Sequence, residues 1–480
     1  MDKLNYTMLC DFYELTMGNG YFISGLKDRI SYFDLFFRRV PDNGGFAIAC
    51  GLEQIIGYIK QLHFDKEDIE FLRSKGIFSE EFLDFLKDFR FTGDIWAVPE
   101  GTVIFPNEPI ITVRGRAIEA QLIETYLLLC INHQTLIATK ANRIVRAAQG
   151  RAVSEFGSRR AHGGDAAIYG ARAAGIGGCT GTACTVTEQK FGFTATGTMA
   201  HSWVQMFDSE YDAFKTYCEC YPDSTVLLVD TYNVLKSGIP NAIKVFDEVL
   251  KPKGCRPLGV RLDSGDITYL SKKARKMLDE AGYEDCKIIA SNSLDEYIIR
   301  DMIFQGAKVD SFGVGERLIT ARSEPVFGGV YKLVAVEDDN GEIKPRIKIS
   351  ENVVKITNPH YKKVYRIYDR EMGKAVADLL TLHDETIDES KELTLFDPQY
   401  TWKKKTITNF KVRELLVPIF KNGECVYETP KFEDIVSYCK QEVETLWDEI
   451  TRFENPHTYY VDLSEKLWKV KNELLSKNGQ

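Results

Sequence analysis

Paired cysteine motifs are missing from this 480-residue chain. Its eleven cysteines stand singly, and the nearest pairs, Cys218 with Cys220 and Cys179 with Cys184, do not have the C-x-x-C spacing of a structural zinc site. An odd count without a framework argues against a disulfide-stapled secreted domain and for a reducing compartment. Basic excess is missing too. Lys plus Arg number 61 against 70 Asp plus Glu, a net charge of −9, which argues against broad nucleic-acid or anionic-membrane binding. No apolar stretch approaches the roughly 18 residues of a spanning helix. The opening MDKLNYTMLCDFYELTM carries acids where a secretory leader would have a basic start and an apolar run. A cytoplasmic protein is expected. Neither G-x-x-x-x-G-K-[ST] nor G-x-G-x-x-G occurs, so a bound nucleotide would be held without a Walker loop or a Rossmann fingerprint.

The remaining composition is that of an ordinary folded protein, 44% hydrophobic and 27% charged, and the length suggests two or three domains. Residues 1–146 read as an N-terminal α+β domain: a helix over Asn5–Phe22, a strand over Ile30–Phe37, two short acidic helices within Phe64–Arg90, short strands between Phe91 and Val113, and a long helix from Glu119 to Arg146. Residues 147–330 change character. The apolar runs TVLLVD, LGVRLD, KIIAS and KVDSFGVG end in small or acidic residues, with amphipathic stretches between them. Their ends at 230, 263, 291 and 313 are spaced as successive βα units of a parallel sheet. Polar residues recur at these C-terminal strand ends, where a barrel assembles its site, although an open doubly wound sheet fits the same spacing. Ser293-Leu-Asp-Glu296 has the form of a capping box. Residues 331–480 read as strands followed by helices that pack back on the other two regions. The fold class expected is α/β, an irregular (β/α) barrel with an N-terminal α+β domain completed by the C-terminal region.

Arg261-Leu-Asp-Ser-Gly-Asp266 is the most informative stretch. Arg261 can fork onto a carboxylate or phosphate. Asp263 and Asp266 can accept from sugar hydroxyls or hold Mg²⁺, and Ser264 and Gly265 allow an anion close to the backbone. A plain helix cap with a turn glycine explains the same residues about as well. Asp230, Ser291-Asn292-Ser293 and Gly313-Val-Gly315 make four consecutive junctions compatible with phosphate or hydroxyl groups. Phe156-Gly-Ser-Arg159-Arg160 sets an aromatic face beside two guanidinium groups, suited to an anionic ring. His201, in Thr198-Met-Ala-His201-Ser202, is a nucleophile or acid–base candidate if a phosphate pocket lies near it.

In chain order, DFYELTM, EFGSRR, GTMAHSW, VDTYN, RLDSGD, ASNSLDE, FGVG and GGVYKLV resemble the nicotinate phosphoribosyltransferase family along most of the sequence. The resemblance implies a type II phosphoribosyltransferase fold and a homodimer with shared active sites. It implies that nicotinate and phosphoribosyl pyrophosphate are substrates, with ATP as co-substrate and Mg²⁺ as cofactor. It implies that ATP phosphorylates His201, that Thr198 and Arg261 contact nicotinate, and that Tyr13 reaches the ring from the partner. Phe156 would stack on the other face, with Arg159 and Thr182 also among the substrate-binding residues. Asp230 and Asp263 would surround ribose and metal, beside Ser264 and Asn292, and the Gly313–Gly315 turn would hold the 5-phosphate. Two positions depart from the family pattern. Glu316 stands where a small hydroxyl residue is usual. Ala183 stands where nicotinamide-using relatives carry Asp, and losing that carboxylate favours an anionic ring. Nicotinamide phosphoribosyltransferase, quinolinate phosphoribosyltransferase and a non-catalytic pyridine-nucleotide sensor are the competing readings.

Overall fold

Six short strands, all parallel, form the sheet that carries the candidate residues. In chain order they are Ala152–Glu155, Gly181–Thr182, Val226–Leu228, Gly259–Leu262, Lys287–Ser291 and Ser311–Val314. Across the sheet, each of the last four neighbours the next in sequence, and Ser311–Val314 then pairs with Ala152–Glu155, which pairs with Gly181–Thr182. A doubly wound sheet reverses its strand order part-way. Here the order runs in one direction and the last strand returns to the first, so the sheet is a curled half-barrel. Its open seam lies between Gly181–Thr182 and Val226–Leu228, and the helices Thr185–Phe191, His201–Gln205 and Glu210–Cys220 occupy the intervening chain.

The computed structural model describes residues 5–352 and 355–478; the first four residues of the opening segment and the last two of the C-terminal stretch lie outside them. The chain divides into two compact units, one of Ile137–Pro325 and one combining Met1–Leu136 with Val326–Gln480. The first unit holds the half-barrel. Leu227, Leu228, Val260, Leu262 and Ile288 share a core with Phe214, Phe246 and Leu278, all buried. Gly238 makes a close approach there: a Cβ built on it would sit 1.9 Å from the Val229 carbonyl oxygen, one residue before Asp230.

In the second unit a seven-stranded antiparallel sheet joins the two ends of the chain. Val330–Glu337 pairs with Ile30–Phe36, and Val417–Lys421 pairs with Asp94–Ala97. A four-stranded sheet contains Lys362–Asp369 and Ala375–Leu382. Between them the fully buried Arg366 forks onto Asp378 at 2.9 and 2.6 Å and reaches Glu442 at 3.2 Å. Such a pair is strongly destabilised when one partner is removed, because the other charge stays buried.

Several sequence-based boundaries shift. The first helix is Phe12–Ile23, preceded by a short turn at Tyr6–Met8, because Asp11 supplies the extended N-terminal position. The long helix is interrupted: Ala117–Gln121 ends before Glu124–Ala147 begins. Ser293 does not cap the helix after Lys287–Ser291. That helix is Glu296–Phe304, and the Asp295 carboxylate accepts from the amides of Tyr297 and Ile298. Glu296 instead takes Lys140 at 2.8 Å and Arg143 at 2.9 Å, fixing two helices of the half-barrel unit together. Ala375–Leu382 and Val461–Leu463 are strands within stretches that carry no alternating signal or read as helical. No helix among the described residues is long and apolar enough to cross a membrane.

Gly238→Ala is expected to destabilise the protein by about 2–3 kcal/mol, since the methyl meets backbone that cannot rotate away. Gly57→Ala, on the helix Leu52–Gln61 with nothing within 4 Å of the added methyl, is expected to stabilise by about 0.5–1 kcal/mol. Urea unfolding of both variants checks the contrast; equal effects would mean that Gly238 is not held by close contact.

Candidate active site

At the C-terminal ends of adjacent strands the chain must stop pairing, and side chains satisfy the freed backbone groups. Asp230 follows Val226–Leu228. Its Oδ2 accepts from the Asp263 amide at 3.0 Å and from the Ser264 hydroxyl at 2.6 Å. The Ser291 hydroxyl donates in turn to Asp263 Oδ1. One hydrogen-bonded chain therefore links three neighbouring strand ends.

His201 begins the helix His201–Gln205, which emerges from the open seam. Its Nδ1 lies 3.1 Å from the Thr231 hydroxyl and its Nε2 lies 3.8 Å from Asp263 Oδ2. Arg261 points from the middle of its strand, and its Nη1 donates to Thr198 Oγ1 at 2.6 Å. Burial holds the Arg261 guanidinium below its usual proton affinity; Asp263 and Asp230 oppose that, and the charge of Arg159 adds to it. Arg159 and Arg261 are thus close enough to feel each other, although Arg159 itself is exposed. Two buried atoms have no protein partner here, Asp230 Oδ1 and Arg261 Nε. An unsatisfied buried acceptor and donor each cost about 1–3 kcal/mol, so such a pair in one cluster points to a ligand that completes them.

The other side of the half-barrel is organised by a residue the sequence analysis passed over. Glu155 is fully buried; it accepts from the Gly157 amide through Oε1 and from the Thr182 hydroxyl through Oε2, the latter at 2.7 Å. Burial pushes its carboxyl up from the usual range, and the two hydrogen bonds oppose that. Phe156 lies across Gly313: an added Cβ would come within 2.4 Å of the ring. Room for an aromatic ring thus accounts for Gly313. Gly315 precedes a helix of only four residues, Glu316–Ile319, and Glu316 is paired with Arg322 at 2.9 Å.

Some candidate residues stand apart. Asp266 accepts from the Tyr269 amide at 2.9 Å and is the cap of the helix Ile267–Glu280, the plainer of its two readings. Asn292 is exposed at φ 79°, with its side chain accepting from Ser293. Tyr13 belongs to the other unit, on the exposed side of Phe12–Ile23, with Glu124 beside its hydroxyl. Thr231 and Glu155 were missed. VDTYN and EFGSRR contain both, but nothing in a polar strand end says which residue braces and which binds.

The donor set suits a hard cation. Asp230 Oδ1 and Asp263 Oδ2 are oxygens beside two hydroxyls, and no group of three or more His, Cys, Asp or Glu among the described residues forms an all-protein metal site. That is the pattern of Mg²⁺, which takes one or two carboxylates and completes its shell with substrate oxygens and water.

Family models match along nearly the whole chain: the nicotinate phosphoribosyltransferase (NAPRTase) N-terminal domain at residues 8–132, the NAPRTase family at 151–386 and the C-terminal domain at 361–471. Nicotinate phosphoribosyltransferase of Bacillus subtilis is 45% identical over 463 residues, covering 96% of this chain and 93% of that protein. The chain belongs to the nicotinate phosphoribosyltransferase family. The crystal structure of human nicotinic acid phosphoribosyltransferase superposes with a TM-score of 0.86 at 27% identity, covering 97% of this chain and 99% of that one. Nicotinate-nucleotide pyrophosphorylase from Pyrococcus furiosus gives a TM-score of 0.70 at 25% identity, over 92% of this chain and 96% of that one. The half-barrel with its two flanking regions is thus this family's fold, and the chain is an enzyme of this type.

Asp230 separates bracing from binding. Asp230→Asn can keep the carbonyl oxygen on Asp263 and Ser264, so its stability should stay within about 1 kcal/mol of wild type. Asp230→Ala strands both donors and should cost about 2 kcal/mol. Turnover in Asp230→Asn should nevertheless fall about a hundredfold or more, because the charge is lost where positive charge develops. Thermal unfolding beside steady-state kinetics checks this; an active Asp230→Asn would leave Asp230 a brace alone.

Proposed function

We propose that this protein joins nicotinate to C1 of 5-phosphoribosyl 1-pyrophosphate, forming nicotinate mononucleotide and pyrophosphate, with ATP hydrolysis coupled through a phosphorylated His201. The observation that carries the reading is the cluster of His201, Asp230, Asp263 and the Arg261–Thr198 pair at adjacent strand ends. The unpartnered Nε of Arg261 suits the ring carboxylate, with Arg159 adding positive charge nearby. Phe156, set across Gly313, offers a stacking face. Ala183 puts only a methyl group beyond Thr182, where a carboxylate would repel an acid.

The pyridine nitrogen supplies the electron pair for the new bond to C1. The bond from C1 to the pyrophosphate oxygen breaks, and its electrons leave with pyrophosphate. Asp230 and Asp263 face the positive charge that develops on the sugar. The attacking nitrogen carries no proton, so no protein base is needed for the attack. Magnesium would be held by Asp230 Oδ1 and Asp263 Oδ2 with substrate oxygens, and would neutralise charge on the leaving pyrophosphate. Ser264, Asn292 and the Gly315 turn lie at the strand ends where the phosphoribosyl group would sit. In the coupling step, His201 Nε2 attacks the γ-phosphorus of ATP and ADP leaves; water later cleaves the phosphohistidine. For this step Nδ1 carries the proton and donates to the Thr231 hydroxyl, which leaves the lone pair on Nε2.

The active form is a homodimer in this reading, with Tyr13 of one protomer completing the ring site of the other. Phe12, Tyr13 and Met17 are exposed on one short helix, which supports a face that meets a partner. Eleven free cysteines support a cytoplasmic location.

Product formation from nicotinate, phosphoribosyl pyrophosphate and Mg²⁺ should rise strongly with ATP in the wild type. His201→Ala should lose that stimulation and still bind nicotinate. Mononucleotide made from nicotinamide but not from nicotinate would overturn the substrate assignment. Sharing of sites has its own check. Mixing Tyr13→Ala with His201→Ala should restore about a quarter of the wild-type ATP-stimulated activity, since half of the dimers then carry one intact site. No recovery would mean that each protomer uses its own Tyr13.

A further inference from the structure

The helix Glu465–Asn478 presents Trp468, Lys471, Asn472 and Leu475 at the i, i+3, i+4, i+7 spacing of a single face. That face is one wall of a cavity of about 400 Å³, with Phe36, Asn107 and Asn358 among the residues opposite. Every lining residue belongs to the unit that combines Met1–Leu136 with Val326–Gln480, so none is shared with the His201 cluster. The volume lies within the range of small-molecule sites, and most of the lining is apolar or amide.

Lys471 is the residue that nothing else in the fold explains. Its ammonium donates to Asn358 Oδ1 at 2.8 Å, a neutral acceptor, and among the described residues no carboxylate pairs with it. The carboxylate that lines the cavity, Asp34, is already engaged. Its Oδ2 faces Lys362 at 2.8 Å and its Oδ1 accepts from Thr112 at 2.8 Å. Burial, and then the charge of Lys362, push Lys471 down to about 8. A partly desolvated ammonium beside a second cation is destabilising unless a counter-charge enters. Trp468 is fixed by its own hydrogen bond to the Pro398 carbonyl at 3.0 Å, so the wall beside the charge is rigid and aromatic.

We propose that this cavity is a binding site for a small organic carboxylate. Lys471 takes the carboxylate with the second Nδ2 hydrogens of Asn358 and Asn472, whose first go to the Asn107 and Trp468 carbonyls at 3.4 and 2.8 Å, and Trp468, Phe36 and Leu475 take its apolar body. One uncompensated cation matches one negative charge. A polyphosphate would bring several charges with only one to meet them, and a neutral ligand would leave the ammonium unpaired.

The test is calorimetric titration of the full-length protein at pH 7 with phenylacetate and with its neutral counterpart, phenylacetamide. The wild type should bind the anion at least about tenfold more tightly, the worth of one charge-assisted hydrogen bond. Lys471→Gln, which keeps a donor for Asn358 and loses the charge, should erase that preference, as should Lys471→Met. Both remove a poorly solvated charge, so both should melt at or above the wild-type temperature. Arg261→Ala should leave the preference intact. No saturable binding of phenylacetate, equal binding of the amide, or a preference that survives Lys471→Gln would overturn the proposal. So would a preference lost in Arg261→Ala, which would move the binding to the substrate cluster.

Discussion

A parallel sheet leaves its strand ends unpaired on one side, and in this protein carboxylates hold those ends in register. Asp230 gathers the Asp263 amide and the Ser264 hydroxyl, and Asp263 takes the Ser291 hydroxyl. Glu155 ties the Gly157 turn to Thr182 on the other side of the half-barrel. These ties fix the strand ends beside Arg261, His201 and Phe156, and a drift of 1 Å is enough to cost a positioned site much of its rate. The same oxygens that brace the backbone therefore set the precision of the chemistry.

The bracing is incomplete by construction. Asp230 uses one carboxylate oxygen for the backbone and leaves the other buried and unpartnered; Arg261 uses one nitrogen for Thr198 and leaves Nε so. A fold selected only for stability would pair these atoms or replace them. One of these atoms is an acceptor and the other a donor, so together they suit a ligand with a cationic or hydroxyl-bearing part and an anionic part. Phosphoribosyl pyrophosphate and a pyridine carboxylate carry such parts.

Most of the half-barrel was legible in the sequence because its strands are short apolar runs that end in Asp, Ser or Gly. TVLLVD, LGVRLD, KIIAS and KVDSFGVG each contain a strand whose ends lie within three residues of the reading. The two strands that bring the sheet back toward closure were not visible. Ala152–Glu155 and Gly181–Thr182 are too short and too polar or glycine-rich to show a period, and only pairing with their neighbours makes them strands. The capping box at Ser293 failed for a related reason. Glu296 is drawn into the buried pair with Lys140 and Arg143, more than 150 positions away, which local spacing cannot register.

The site divides along the same line. Residues recognisable by chemical type, such as Arg261, Asp263 and His201, stand out in a sequence because their functional groups are scarce at strand ends. Glu155 does not, since Ala152–Glu155 is too short and too polar to read as a strand end. Its role follows from three-dimensional facts alone. Both oxygens are occupied by protein donors, so it has no free lone pair in the direction of a ligand comparable to Asp230 Oδ1. Its neighbours in sequence, Phe156 and Arg159, and its partner Thr182 are the groups that would meet the ring. A residue so placed acts on the reaction only by fixing where others stand. It would therefore alter how tightly nicotinate is held before it altered the intrinsic rate of bond exchange at C1. The division of labour in the proposed reaction is then physical: carboxylates with a spare oxygen would face the sugar, and the one without a spare oxygen would hold the walls of the ring pocket.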